Sequence, residues 1–418
     1  MNLKGSTLGA TLALAAAVGL SSAPIGAAPT FAVYPYFQKP LPDLWVTGVV
    51  SGVCRGLNND VIIVTQGFQT GGLASPEGVG GAVISGPGIG TASPSTSSPP
   101  VIEFNSNGNV VRSWGSKALV PANTPPPVGT VSIVGQNLNL PNGIHGCFVD
   151  GSGNVWLAGT TDGVVQKYSP DGSQMLLQIG LKFRCDNGTN GGQIPCTGTG
   201  FGNVGAVGTV YPVGTAPQNV LLNGPMDVAV DPGNGDIYVA DGGGNHRVVV
   251  FDQNGNYKLQ MGAGVGTGAG QFSSAGAGHP SCVVLPNNGL VYACDRGNDR
   301  INVYNKAGVF QTSIPVVPGT ANAAGTYGSA GDIAFSPDAG QTWMYVSDGG
   351  NERVWVMNHS MALAGTAGAI MGSAGTVFGH DTGAFTFVDT ITVDSLGNMY
   401  TGETTGGRRM QMFQVSGQ

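Results

Sequence analysis

One phrase is written again and again along this chain, and that repetition limits what the chain can fold into. The clearest copy runs from Pro225 through Asp227-Val-Ala-Val-Asp-Pro-Gly-Asn-Gly-Asp-Ile-Tyr-Val-Ala-Asp241, then Asn245-His-Arg-Val-Val-Val-Phe-Asp252 and Asn254-Gly-Asn. Short β-branched and aromatic runs punctuated by Pro-Gly and Asn-Gly are the signature of consecutive hairpins. This copy predicts strands at Asp227–Val230, Ile237–Ala240, Arg247–Phe251 and Tyr257–Met261.

Other copies start at His145–Asp150, Ser281–Leu285, Asp332–Phe335 and Thr390–Val393, and a divergent one at Gly52–Arg55. A four-stranded unit of this size cannot bury both faces alone. Packing the copies radially buries those faces and leaves only short edges. The fold class is therefore all-β, a six-bladed β-propeller over residues 29–418. Its blades fall near 46–115, 143–180, 225–262, 280–316, 330–370 and 387–415. The last copy shows three strands, so residues near Phe31–Trp45 are expected to add the fourth and close the ring.

Composition agrees. The 72 Gly and 26 Pro supply the turns, and a 41% hydrophobic content supplies a core. Charged residues at 9% are too few for a helical bundle, and a net charge of -7 argues against a nucleic-acid partner.

Residues 1–28 read as an export signal: a lone Lys4, an apolar run from Leu8 to Leu20, then Gly26, Ala27 and Ala28. The run falls short of the about 20 apolar residues of a membrane span. No later segment of the sequence is long and apolar enough to span either. Six cysteines in an exported chain point to disulfides. Cys282 and Cys294 flank a turn, and Cys185 and Cys196 bracket a Gly/Asn-rich loop, which leaves Cys54 with Cys147. This is one of about 15 possible pairings. The expected location is periplasmic or extracellular.

Aligning the copies places Ser51, His145, Met226, Ser281, Gly331 and Asp389 at one position near the channel mouth. His145 and Asp389, with His279 as a third ligand, could share a metal ion there; the alternative is a water-filled channel. Asp150-Gly-Ser-Gly-Asn154 faintly resembles a calcium loop but lacks its other acidic ligands, so it reads as a turn. Asp241, Asp295 and Asp348 precede Arg247, Arg300 and Arg353 and suggest an ion pair in each of three blades. The five tryptophans read as packing between blades. His246, His359 and His380 share no spacing.

The pattern Pro225–Asp241 with Asn245–Asp252 resembles the NHL-repeat six-bladed propellers. Val50-Ser-Gly-Val53, His145-Gly146 and Asp295–Arg300 look most like the peptidyl-hydroxyglycine amidating lyases. That resemblance implies zinc on three histidines at the starts of inner strands. The first ligand falls on His145, the second on Ser281 with His279 two residues earlier, and the third on Asp389. The family's catalytic arginine falls on Gln66 and its tyrosine on Gly243, so neither catalytic residue is kept.

Two functions follow as expectations. One is an extracytoplasmic binding or scaffolding module that holds a peptide, glycan or protein on the connector-bearing face. The other is a metal-assisted lyase or hydrolase at the channel, with zinc ahead of calcium as its ion. Whether the chain is an enzyme turns on that ion.

Overall fold

The computed structural model describes residues 26–42, 45–66, 96–115, 140–186, 193–196, 220–273, 279–320, 328–404 and 406–416. Most of the expected export signal, and much of the connectors between copies, lies outside these residues.

Six four-stranded antiparallel sheets are present, each one copy of the repeat. Blade 1 holds Val50–Arg55, Val61–Thr65, Val101–Phe104 and Val110–Trp114. Blade 2 holds Ile144–Val149, Val155–Gly159, Val164–Tyr168 and Met175–Ile179. Blade 3 holds Asp227–Val230, Ile237–Asp241, Arg247–Phe251 and Tyr257–Met261. Blade 4 holds Val283–Val284, Leu290–Asp295, Arg300–Asn305 and Phe310–Pro315. Blade 5 holds Ile333–Phe335, Trp343–Asp348, Arg353–Asn358 and Ile370–Ala374. Blade 6 holds Val388–Val393, Met399–Glu403 and Met410–Ser416, completed by Thr30–Val33 from the other end of the chain.

That completion closes the ring. Thr30 pairs with Ser416 and Val33 with Phe413. Phe31 stacks edge-on against Tyr345 of blade 5 at 5.4 Å. The closing strand is thus fixed on one edge by hydrogen bonds and on one face by an aromatic contact.

The core lies between blades, because each sheet buries both faces against its neighbours. Tyr238 and Val250 of blade 3 pack with Val291 and Ala293 of blade 4. Val53, Ile63 and Phe104 of blade 1 pack with Tyr400 and Met412 of blade 6. The second and third strands are therefore apolar on both sides, as in Ile237–Asp241 and Arg247–Phe251, which are buried throughout. Four of the five tryptophans are buried and Trp355 is half-buried.

Two features differ from the sequence reading. Blade 5 reaches its fourth strand, Ile370–Ala374, through a short helix, His359–Leu363, which carries the blade past the expected bound at 370. Asn358 caps that helix, its side chain accepting from the Met361 amide at 3.0 Å. In blade 4 the inner strand is only Val283–Val284, although the repeat suggested that it starts at Ser281.

All three cysteine pairings form: Cys54–Cys147, Cys185–Cys196 and Cys282–Cys294. The first links the inner strands of blades 1 and 2. Three disulfides suit an oxidising compartment. Among the described residues no helix is long and apolar enough to cross a membrane.

Candidate functional site in the central channel

An inner strand is the edge of its own sheet, so its outer amides need partners from elsewhere. The repeat supplies them from the neighbouring blade. Asp227 of blade 3 accepts from the Val283 amide of blade 4 at 3.0 Å. Asp332 of blade 5 accepts from the Ile391 amide of blade 6 at 3.0 Å, and from the Thr390 hydroxyl at 3.0 Å. Thr390 Oγ1 in turn accepts from the Val53 amide of blade 1 at 3.2 Å. Asp227, Asp332 and Thr390 hold the same position of their copies, one residue after the position aligned on His145.

The remaining joints use the aligned position itself. The Ser51 hydroxyl donates to the Ile144 carbonyl at 2.6 Å, and Gln66 Nε2 donates to the same oxygen at 2.7 Å. The Gly146 amide donates to the Met226 carbonyl at 2.8 Å. A Cβ on Gly146 would lie 2.4 Å from Asp227 Oδ1, so only glycine allows this approach. The Ser281 hydroxyl donates to the Gly331 carbonyl at 2.7 Å. Every pair of adjacent blades is thus tied at the channel wall.

Inside this ring three side chains from alternate blades meet. Asp389 of blade 6 accepts from Arg296 Nη1 of blade 4 at 3.0 Å through Oδ1. Its Oδ2 lies 3.2 Å from His145 Nε2 of blade 2. The other ring nitrogen of His145 lies 3.1 Å from the Met226 carbonyl. Both neighbours of the imidazole are hydrogen-bond acceptors. The side chains of Asp389 and Arg296 are 5% and 6% exposed, and that of His145 is 18% exposed.

Burial alone pushes the Asp389 carboxyl up. The hydrogen bond and charge of His145, and the Arg296 guanidinium, more than offset it and hold the group below the ordinary carboxylate range. Among the described residues no such cation lowers Asp227 or Asp332. Burial raises both; Asp332 adds to the rise at Asp227, and Asp389 adds to that at Asp332, which reaches about 6.

This gives a pH prediction. The folded chain holds a proton on Asp332 up to about pH 6, whereas an ordinary carboxyl releases it near 3.8. Between those values the folded state binds more protons than the unfolded one. The contribution to stability is therefore full below about pH 4 and is lost as pH rises through about 6. Asp162, also raised to about 6 by burial, adds a parallel slope. Asp332→Asn should flatten part of the fall in urea midpoint between roughly pH 4 and pH 6.5. Equal slopes in both proteins would contradict this assignment.

The sequence-predicted residues separate into two groups. Ser51, His145, Met226, Ser281, Gly331 and Asp389 all line the channel, as the alignment of copies implied. His279 does not. It is buried beside blade 4, where its Nδ1 accepts from the Gly297 amide at 3.2 Å. Both oxygens of Asp389 are engaged, and the Ser281 hydroxyl is spent on a carbonyl. Among the described residues no three His, Cys, Asp or Glu side chains could hold a metal ion together. Arranged this way, His145, His279 and Asp389 do not fit zinc.

The expected ion pairs form in two of three blades. Arg247 Nε meets Asp241 at 3.0 Å and Arg300 Nε meets Asp295 at 2.8 Å. In blade 5 Asp348 instead accepts from Trp355 Nε1 at 2.6 Å and Asn351 Nδ2 at 2.7 Å, while Arg353 turns to the Glu352 carbonyl. Blade 6 carries an unforeseen equivalent, Arg409 with Glu403 at 2.7 Å. Asp150 is a turn residue: its Oδ1 accepts from the Ser152 and Asn154 amides, and Lys167 lies 3.0 Å from its Oδ2. Arg296 was not foreseen. Its signal was a charged residue where blades 3 and 5 carry Gly242 and Gly349.

The NHL repeat family model matches residues 222–251. No curated protein gives a significant match to the chain. Among solved structures, the chain is similar to a catalytically inactive virginiamycin B lyase from Staphylococcus aureus crystallised with quinupristin. The identity is 11%, over 92% of this chain and 88% of that one, with a TM-score of 0.43. A streptogramin B lyase gives 10% identity over 93% and 98%, with a TM-score of 0.42. The chain is a six-bladed β-propeller, one of whose repeats, residues 222–251, matches the NHL repeat family.

Proposed function

We propose that the protein is an extracytoplasmic binding module whose ligand seat is the central channel. The observation that carries this reading is a cavity of ≈ 590 Å³ enclosed by the inner strands of all six blades. That volume lies within the roughly 300–1,000 Å³ of small-ligand sites. Walls that are ladder-bonded and tied blade to blade form a seat prepared before any ligand arrives, which lowers the entropy lost on binding. A peptide, glycan or protein partner would engage the module by inserting a narrow group here. The three disulfides support an oxidising compartment outside the cytoplasm.

A chemical role has less support. His145 and Asp389 meet, but they are satisfied by Arg296 and a backbone carbonyl, and among the described residues no activated nucleophile stands beside them. Gln66 and Gly243, at the amidating-lyase catalytic positions, offer no proton-transfer group.

The test is a fluorescence titration with N-phenyl-1-naphthylamine, a neutral apolar probe. One saturable site with Kd on the order of 10 µM is expected for a probe of this size. Val230→Trp, which fills the channel, should abolish it. Probe binding that survives this substitution would place the site elsewhere. Stoichiometric zinc that is lost in His145→Ala would restore the lyase or hydrolase reading.

A further inference from the structure

The two ends of the channel differ. At the strand starts the lining residues Ser51, Met226, Ser281, Gly331 and Asp389 are buried. There the bore is crossed from blade 4 to blade 6 to blade 2 by the contacts of Arg296, Asp389 and His145. At the strand ends the lining opens out: Leu57, Asn58, Gly151 and Pro232 are exposed, and Leu285 and Phe335 are half-buried.

We infer that the Arg296–Asp389–His145 contact is a clasp that closes the channel toward the connectors, so that a narrow, largely apolar ligand enters through the ring of turns between first and second strands. This rests on the channel being the binding seat. It moves the point of entry to the face opposite the connectors, away from the face that the sequence suggested. Asp389 meets both Arg296 and His145, one through each carboxylate oxygen. Opening the clasp therefore means separating a buried charge from both partners, a costly event for a ligand to provoke. Entry from the turn face needs no such step.

The lining also states what would fit. Val230, Leu285, Ile333, Phe335 and Val393 give apolar walls along the entry path. Further in stand Asp227 and Asp332, which already accept backbone amides, and His145, both of whose nitrogens face acceptors of the protein, Asp389 and the Met226 carbonyl. The inner end of the ligand should carry an N–H or O–H donor and no anion.

The experiment uses the full chain and two probes. N-phenyl-1-naphthylamine carries one N–H donor, and 8-anilinonaphthalene-1-sulfonate adds an anion to a similar frame. Gly151→Trp with Pro232→Trp places two indoles at the mouth. Nothing lies within 4 Å of a Cβ at Gly151, so the larger side chain has room. The neutral probe should bind wild type, and association with the double variant should slow at least tenfold. The sulfonate should bind wild type at least tenfold more weakly. A double variant with an unchanged thermal midpoint that takes up the neutral probe as fast as wild type overturns entry from the turn face while leaving the channel as the seat. Equal affinity for both probes overturns the ligand chemistry. Failure of wild type to bind the neutral probe at all removes the seat itself, and the clasp loses its meaning as a closure.

Discussion

Arg247→Ala is expected to cost about 3–5 kcal/mol of stability, the loss typical of breaking a buried ion pair from one side. Arg247 is fully buried within blade 3. Its Nε donates to Asp241, its Nη1 to Gln260 Oε1 at 2.8 Å, and its Nη2 to the Leu221 carbonyl at 3.0 Å. Asp186 lies 3.6 Å from the same guanidinium. Burial already pushes the Asp241 carboxyl up, and Arg247 opposes that rise. Removing the cation leaves two buried carboxyls and an unfilled space. Arg247→Lys should recover only part of the loss, because an ammonium cannot match the planar fork that reaches three acceptors. The control is Arg112→Ala. That side chain is 38% exposed and pairs with Glu103 at 2.6 Å, so solvent screening limits its loss to about 0–1 kcal/mol. Urea unfolding of the variants checks the contrast; equal losses at Arg247 and Arg112 would contradict it.

Asp389→Ala is the second large effect. It leaves Arg296 and His145 facing each other in a buried bore with their shared acceptor gone. The expected loss is again about 3–5 kcal/mol. Asp389→Asn should cost somewhat less, because an amide oxygen still accepts one hydrogen bond but carries no charge. Arg296→Ala should cost less than Asp389→Ala, since Asp389 keeps His145.

Most of the propeller could be read from residues, because its signals are local. Asp150, Asp252 and Asp394 each bond amides two and four residues on, so the turn chemistry stands in the sequence beside the strands it joins. The end of blade 5 is less legible, because the helix His359–Leu363 stands where blades 1 to 4 carry a short turn. The channel was harder. His145 and Asp389 could be found because equivalent positions of a repeat face the same axis. His279 enters the expected set only because it lies two residues before Ser281, the position that aligns with His145. The strand begins at Val283, and His279, four residues before it, accepts from the Gly297 amide instead. Arg296 sits on the turn after a second strand, where no pattern within one copy says how far a long side chain reaches. The distance from that turn to Asp389 is set by the closure of the ring.

The central claim is that side chains from alternate blades converge on one carboxylate. A double-mutant cycle of Arg296→Ala and Asp389→Ala, followed by urea unfolding, tests it most directly. The two residues lie 93 positions apart in the chain, so coupling between them reports spatial contact. The expected result is a double variant that loses less than the sum of the single losses, by at least about 2 kcal/mol. Additivity to within about 0.5 kcal/mol would mean that Arg296 and Asp389 do not meet.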